Sequence, residues 1–182
     1  MIKILKQNQF LFIVFVFATL TFVSCQDEKS SSLKYDSFFK EVIRSENGVF
    51  RGLSLGVQLD SVLKIEKVKA IEADDSYLYY EFQVDTIGTY NITYTFNEKG
   101  LAEIQSDVFI NNQTNTDGVF NAFKSYFDEH YGPSGTDMGY SVWSIKSDLF
   151  GEVKINLSNE SADFSVPNSP GKVSIWIYPD KQ

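Results

Sequence analysis

The side chains best suited to chemistry in this sequence are one histidine, His130, and one cysteine, Cys25. A zinc site needs several nitrogen or sulfur ligands, so these two residues cannot supply one. His130 falls at the end of a helical pattern, where an imidazole commonly interacts favourably with the helix dipole, and a general base is the less common alternative. No glycine-rich phosphate loop follows a predicted strand. The sequence therefore predicts no catalytic residue, no metal and no cofactor.

Calcium is the better metal candidate, because the run QTNTDG at 113–118 places Asn115 and Asp117 in phase with the start of an EF-hand loop. However, Gln113 stands where the first acid belongs, and Lys124 stands where the bidentate glutamate belongs. We therefore interpret the run as a polar turn that caps the following helix.

Acidic residues are numerous, but none of the 24 is marked out as part of a catalytic pair. The run EADD at 72–75 is interpreted as a solvated loop rather than a metal cradle. A glycoside hydrolase that uses two carboxyl groups stays open as an alternative to a protein without catalysis.

The N-terminus has the layout of a secretory signal peptide. Lys3 and Lys6 precede a nearly uninterrupted apolar run from Phe10 to Val23, which is the order of charged and apolar segments in exported proteins. The run is shorter than the ~20 residues that a membrane-spanning helix requires. We therefore predict a signal peptide at 1–24 rather than a transmembrane anchor.

The residues that end this segment, Phe22, Val23, Ser24 and Cys25, resemble the lipobox of bacterial lipoproteins, with phenylalanine in place of the usual leucine. The resemblance implies that the Cys25 thiol receives a diacylglyceryl group, that the chain is cut before it, and that the new amino terminus is acylated. Two or three acyl chains would make a durable anchor, because one chain holds only marginally. We therefore predict lipidation at Cys25, the membrane as a partner through this anchor, and a place in the cell envelope as an outer-membrane lipoprotein.

The segment that follows, 25–35, is polar and lacks apolar periodicity, which predicts a flexible tether. Its acidic start at 26–28 resembles the export signal of surface lipoproteins in Bacteroidetes-type bacteria, and a solvated spacer is the equal alternative. The runs DSV at 60–62 and DTI at 85–87 resemble the O-glycosylation acceptor pattern of the same bacteria.

The chain is acidic, with a formal net charge of −8. Loss of Lys3 and Lys6 with the leader would leave 14 basic residues against 24 acidic ones, a charge of −10. Binding to nucleic acid depends on lysine and arginine, so we exclude it as a partner, and the charge disfavours adhesion to anionic lipid beyond the anchor. With its one cysteine acylated, the protein would have no disulfide, and its stability must come from packing.

Two helices open the globular part. The first is predicted from Ser37 to about Ser45, with Asp36 as N-cap. On the second, an apolar stripe is predicted to face the core; it comprises Leu59, Val62 and Leu63.

Alternation of apolar and polar residues then predicts three strands, at 77–84, 89–96 and 101–110. The residues NEKG at 97–100 predict a tight hairpin between the last two, because Gly100 can adopt positive φ. In the middle strand one face is predicted to be apolar, and it comprises Tyr90, Ile92, Tyr94 and Phe96.

The clearest helical pattern begins after 115, with Thr116 or Asp117 as its cap. Its aromatic and aliphatic residues recur at helical spacing; they are Val119, Phe120, Phe123, Tyr126, Phe127, His130 and Tyr131. Three more strands are predicted, at 140–147, 152–159 and 172–178, with a proline-containing loop before the last.

These elements predict an α+β fold in which helices cover one face of an antiparallel sheet. The order suggests tandem units, each with a helix region and three strands, at about 50–112 and 113–180. We predict a single globular domain over 36–182.

Some aromatic residues fall outside the predicted core. In the last strand, Val173, Ile175 and Ile177 form the natural core face, so Trp176 and Tyr178 should point the other way. The candidate binding surface is therefore an aromatic strip, or alternatively a second layer covers these rings; the strip comprises Trp176, Tyr178, Tyr140, Tyr77 and Tyr79.

The stretch at 50–66 resembles the helix entry of small envelope lipoproteins, such as the smallest lipoprotein of the outer-membrane β-barrel assembly machinery. The matching residues are Gly52, Gly56, Val57, Asp60 and Val62. The order of helices and strands is also similar to the β-lactamase-inhibitor-protein-like fold, although this chain lacks the cysteine pair for a disulfide. These resemblances imply a protein-binding or scaffolding domain without catalysis, with another envelope protein as partner. A glycan-binding or glycan-processing surface lipoprotein is the alternative.

Overall fold

The computed structural model describes residues 37–111, 115–161 and 170–180. They form an α+β fold with one eight-stranded antiparallel sheet and three helices, which confirms the predicted fold class. The helices are α1 (37–43), α2 (Leu59–Glu66) and α3 (Thr116–Tyr131). The strands are β1 (Glu72–Asp74), β2 (Tyr77–Val84), β3 (Gly88–Asn97), β4 (Gly100–Ile110), β5 (Gly135–Asp137), β6 (Tyr140–Ser147), β7 (Gly151–Asn159) and β8 (Gly171–Pro179). None of these helices is both long enough and apolar enough to cross a membrane.

The strands lie in the order β1-β2-β3-β4-β8-β7-β6-β5. Two four-stranded meanders are thus joined through β4 and β8, where Ile104 pairs with Ile177 and Ser106 with Ile175. Each half has four strands rather than the predicted three, because the short edge strands β1 and β5 were not expected. The predicted bounds of the other six strands differ from the observed ones by two residues at most.

Edge strand β1 differs from the prediction for residues 72–75. They were interpreted as a loop, but 72–74 form β1, whose backbone pairs with β2. All three side chains are solvent-exposed, so no alternation of burial marks the strand. The segment is an edge strand that depends on main-chain hydrogen bonds and carries charge, as protected sheet edges commonly do.

The two faces of the sheet differ. We call the face covered by the helices the inner face; on β3 it carries Tyr90, Ile92 and Tyr94, all buried. The opposite side, the outer face, carries the intervening residues of each strand. The inner-face side chains and the buried faces of α1 and α3 form one apolar core, which provides the main favourable free energy of folding.

Helix α3 covers β6, β7 and β8. Val119, Phe123, Tyr126 and Phe127 are buried as its pattern predicts, whereas His130 is exposed. The predicted cap is wrong: the N-cap is Asn115, without a side-chain capping bond. The predicted alternative, Asp117, instead accepts a hydrogen bond from Asn159 at 2.8 Å, which ties the first turn of the helix to β7.

Asp128 fixes the other end of α3. Its Oδ1 accepts hydrogen bonds from the Ser134 backbone at 2.9 Å and from Trp143 Nε1 at 3.1 Å, while Lys124 Nζ lies 2.6 Å from Oδ2. The hydrogen bond from Lys124 lowers the Asp128 pKa, as do those from Ser134 and Trp143. The carboxylate thus joins the helix to the chain that returns into β5 and β6.

Helices α1 and α2 both differ from expectation in detail. Helix α1 ends at residue 43 rather than about Ser45, because Arg44 has a φ of 55° and turns towards α2. On α2, Val62 is buried as predicted, but Leu63 is 41% exposed. Glu66 occupies the buried position instead. Its partners there are Arg51 and Tyr94, which are distant from it in sequence.

Candidate functional site

The outer face carries the aromatic residues singled out from the sequence. Trp176 lies on β8 with 41% of its surface exposed, and Val173, Ile175 and Ile177 of the same strand are buried on the inner face. Tyr178 is half-buried, and its ring centroid lies 4.2 Å from that of Trp176. The two rings therefore form one aromatic pair on an open sheet surface.

Hydrogen bonds hold both rings of this pair. Trp176 Nε1 donates to Glu103 Oε1 at 2.6 Å, and Asn156 Nδ2 donates to the Tyr178 hydroxyl at 3.1 Å. Glu103 comes from β4 and Asn156 from β7, the two strands that flank β8. The pair is thus anchored from both sides, which reduces the side-chain entropy that a contact would otherwise lose on binding.

Strand register places Tyr79 on the same face. Tyr79 pairs with Thr93, Thr93 with Gln105, and Gln105 with Trp176. These four residues form one cross-strand row. Three strand spacings separate its ends, or about 14 Å.

Tyr77 and Tyr140 lie apart from the aromatic pair. Tyr77 is half-buried at the start of β2, opposite Thr95. Tyr140 is 37% exposed at the start of β6, beyond β7 from the pair. The structure therefore brings together only Trp176 and Tyr178, with the other three tyrosines spaced across the sheet.

The Tyr79 hydroxyl donates a hydrogen bond to Glu81 Oε1 at 2.6 Å. Partial burial, followed by the bond to this carboxylate and its charge, raises the pKa of Tyr79 to about 12. Tyr79 is thus a neutral phenol at all physiological pH values.

A second polar group on the outer face was not foreseen from the sequence. Lys172 Nζ lies 2.8 Å from Glu160 and 3.3 Å from Asp107, and the Ser174 hydroxyl donates to Asp107 at 2.6 Å. Burial would raise the pKa of Glu160, but the hydrogen bonds from Lys172 and Ser158 lower it. These contacts link β4 with β8, and the one ammonium group is shared between two carboxylates.

The inner side holds a buried ionic cluster that was also missed. The guanidinium of Arg51 donates to both carboxylate oxygens of Glu66, at 2.8 and 2.7 Å, and both side chains have no exposed surface. Tyr94 donates a further short hydrogen bond to Glu66. Arg51 also reaches the Val42 carbonyl at 2.8 Å and the Tyr90 hydroxyl at 3.3 Å.

Burial and charge oppose each other in this cluster. Burial alone would raise the pKa of Glu66, but the hydrogen bond and charge of Arg51 bring it below 4.5. Burial, together with the Glu66 charge, raises the Tyr94 pKa well above 10. The cluster joins α1, α2 and β3, and its position away from the surface indicates a structural role.

One serine fits a nucleophile pattern that the sequence-based interpretation overlooked. The residues GLSLG at 52–56 match G-x-S-x-G, which in hydrolases places serine on a strand-to-helix turn. Here Ser54 is exposed, and Gly52 lies inside a tight turn closed by an isolated bridge between Phe50 and Leu53, with no strand before it. The context that activates such a serine is therefore missing around Ser54.

The carboxyl groups with a shifted pKa are not suited to act as the acid of a glycosidase. A glycosidase acid needs a raised pKa, but Glu66, Asp74, Asp128 and Glu160 all have lowered values. Within the described ranges no three histidine, cysteine or acidic residues are grouped to hold a metal.

His130 Nδ1 lies 2.8 Å from the Tyr126 carbonyl oxygen, one turn earlier on α3.

Cys25, the predicted signal peptide and the predicted tether lie outside the described residues, as does Gln113 of the calcium-like run. Comparison of the chain with family models, with characterised proteins and with solved structures found no match.

Proposed function

We propose that this protein is a lipid-anchored cell-envelope protein that binds another envelope protein through its outer face and performs no catalysis. Cys25 would carry the lipid and place the protein in the outer membrane, with the domain as a scaffold or binding module. The tandem organisation, with one helix region and one meander in each half, belongs to the same proposal. The proposed binding or scaffolding role agrees with the resemblance of residues 50–66 to small envelope lipoproteins.

The observation that carries the proposal is the exposed Trp176, which packs on Tyr178 and is held by Glu103. Tryptophan and tyrosine dominate the binding energy of protein interfaces when they sit centrally on a flat, well-packed surface. The strand positions paired with Trp176 and Tyr178 carry the polar residues Gln105, Asn156 and Lys154, and no described helix packs on this face. A broad surface of this kind suits a folded protein partner better than a small substrate.

A glycan is the second candidate, and one observation favours it. Asn156 Oδ1 is buried without a hydrogen-bond donor among the described residues, while Nδ2 of the same amide donates to the Tyr178 hydroxyl. An aromatic ring beside amide and hydroxyl groups could hold a sugar by stacking and hydrogen bonding. This alternative predicts that free oligosaccharide competes for the surface, whereas the favoured proposal predicts that it does not.

Replacement of Trp176 by alanine should abolish or strongly weaken recovery of the partner in a pull-down from the native envelope. A central tryptophan contributes about 2 kcal/mol or more to an interface, or roughly thirtyfold in affinity. Leu149→Ala is the matched control, because Leu149 is 46% exposed but lies in the turn between β6 and β7. Recovery of the same proteins by wild type and Trp176→Ala would refute this choice of surface.

Replacement of Cys25 by serine should release the protein from membranes in fractionation of the cells. Without the thiol no acyl chain can be attached. Membrane binding is then weaker, because no acyl methylene groups are buried in the bilayer. Mass measurement of the wild-type protein should show the added acyl groups. Full membrane retention of Cys25→Ser would exclude lipidation as the sole anchor.

A further inference from the structure

An exposed apolar segment runs from helix α2 to the edge of the sheet, in the residues 63–71. Leu63 is 41% exposed, Val68 49% and Ile71 57%. Large aliphatic side chains this exposed are unusual when several follow one another within nine residues. We call this stretch the aliphatic segment.

Lysines alternate with these aliphatic residues. Lys64, Lys67 and Lys69 are all exposed, and none of them forms an ion pair with a described residue. The one acid within the segment, Glu66, points inward and is neutralised by Arg51. The solvent side of the segment therefore carries three positive charges on a chain whose formal net charge is −8.

The fold holds the segment in this exposed form. Lys67 follows α2 with a φ of 56°, which stops the helix and swings the chain outward. The backbone returns at Ile71, whose N–H donates to the Tyr79 carbonyl at 2.8 Å. The aliphatic segment is thus fixed at both ends, by α2 at its start and by the edge of the sheet at its end.

We propose that the aliphatic segment contacts the lipid bilayer surface. Alternating aliphatic and ammonium groups match an interface in which apolar side chains enter the headgroup region while lysines stay with anionic headgroups. Four exposed acids flank the segment, Asp60, Glu72, Asp74 and Asp75, and they outnumber its three lysines, so the lysines attract anionic headgroups only locally. Insertion of the aliphatic side chains must therefore supply much of the binding.

The chain outside the described residues can reach a membrane on this side. Arg44 Nη1, one residue past the end of α1, lies 3.1 Å from Glu66 Oε2 on α2, and 37–43 adds about 10 Å of helix. Residues 26–36 can span at most about 40 Å. A lipid on Cys25 would hold the segment close to the bilayer, and to this extent the inference rests on the proposed function.

Contact through the aliphatic segment would orient the domain. Helix α2 lies over the inner face, where Glu66 meets Tyr94. A domain that touches the membrane through α2 and the β1 edge holds Trp176, on β8, four strand spacings or about 19 Å from that edge. The proposed partner surface would then be open to other envelope components.

The test uses the full lipidated chain in vesicles of equal parts phosphatidylcholine and phosphatidylglycerol, with brominated acyl chains as a fluorescence quencher. Leu63→Trp places a reporter in the aliphatic segment, and Met138→Trp is the control. Met138 is 93% exposed but lies in the turn between β5 and β6, on the other half of the sheet. The fluorescence added by each reporter is measured against the wild-type background of Trp143 and Trp176.

We expect brominated lipid to quench the Leu63→Trp reporter at least about twofold more than the Met138→Trp reporter. High salt, or replacement of Lys64, Lys67 and Lys69 by glutamine, should reduce the difference. Equal quenching of the two reporters in protein whose mass confirms acylation would overturn the inference and leave the anchor intact. Protection of the Leu63→Trp reporter only in native envelopes would also overturn it, because it would indicate a protein partner. Failure of the anchor would appear separately, as unacylated mass.

Discussion

Replacement of Glu66 by glutamine should lower the free energy of unfolding by about 3 to 5 kcal/mol, because it leaves the buried Arg51 guanidinium without its counter-charge. Arg51 and Glu66 are among the most deeply buried side chains of the domain. The same replacement weakens the short bond from Tyr94 and the bond from Arg44. Four contacts that join α1, α2 and β3 are therefore disturbed together.

Urea unfolding followed by circular dichroism measures this loss. The matched control is Glu72→Gln, in which an exposed glutamate of β1 is changed in the same way; we expect an effect within about 0.5 kcal/mol. Loss of less than about 1 kcal/mol for Glu66→Gln would contradict the view that the cluster holds the helices on the sheet.

The same cluster predicts a pH dependence. The folded-state pKa of Glu66 lies below its ordinary value of 4.5, so its contribution is fully present above that pH. It is lost as the pH falls through the folded-state pKa, because the unfolded chain then binds more protons. Wild-type stability should thus decline towards that of Glu66→Gln below about pH 4.5, and unfolding curves between pH 7 and pH 3 would show the two converge.

Replacement of Phe127 by alanine should cost about 3 to 5 kcal/mol, because it opens a cavity where α3 meets the sheet. Phe127 has no exposed surface. Its ring centroid lies 5.2 Å from that of Trp143 and 5.3 Å from that of Tyr126. The contacts between α3 and β6 depend on this side chain more than on any exposed residue of the helix.

Phe120→Ala on the same helix is the matched comparison. Phe120 belongs to the same periodic pattern in the sequence but is only partly buried. We expect its replacement to cost about 1.5 kcal/mol or less, as measured by thermal and urea unfolding. Equal losses for the two variants would contradict the observed orientation of α3.

The main strands could be predicted because one face of each is buried. In β3 and β8 apolar residues alternate with polar ones, so period-two patterning identified both strands and the direction of Trp176. Strands β1 and β5 could not be found this way, since each is three residues long and exposed throughout. Only their backbone pairing with a neighbour defines them.

The buried ionic cluster was invisible for a different reason. Glu66 sits in the run KIEK, where helical patterning assigns a charged residue to the solvent side and Leu63 to the core. The structure reverses both positions, because Arg51 and Tyr94 offer Glu66 partners that lie 15 and 28 residues away in sequence. Local patterns carry no information about such long-range pairing.

The candidate surface was predictable only in part. Alternation in β8 indicated that Trp176 and Tyr178 point away from the core, and both do. The residues that fix the rings, Glu103 and Asn156, come from other strands and depend on register. The row that joins Tyr79 to Trp176 likewise follows from strand order, which the sequence did not reveal.

Photo-crosslinking in intact cells tests the central claim, that the outer face binds an envelope partner, most directly. A photoreactive residue at Gln105 stands beside Trp176 on the outer face, and one at Glu129 stands exposed on α3 as the control. The proposal predicts a covalent adduct with an envelope protein from position 105, greatly reduced in the Trp176→Ala background, and none from position 129. Adducts with the same protein from position 129 but not from position 105 would contradict it.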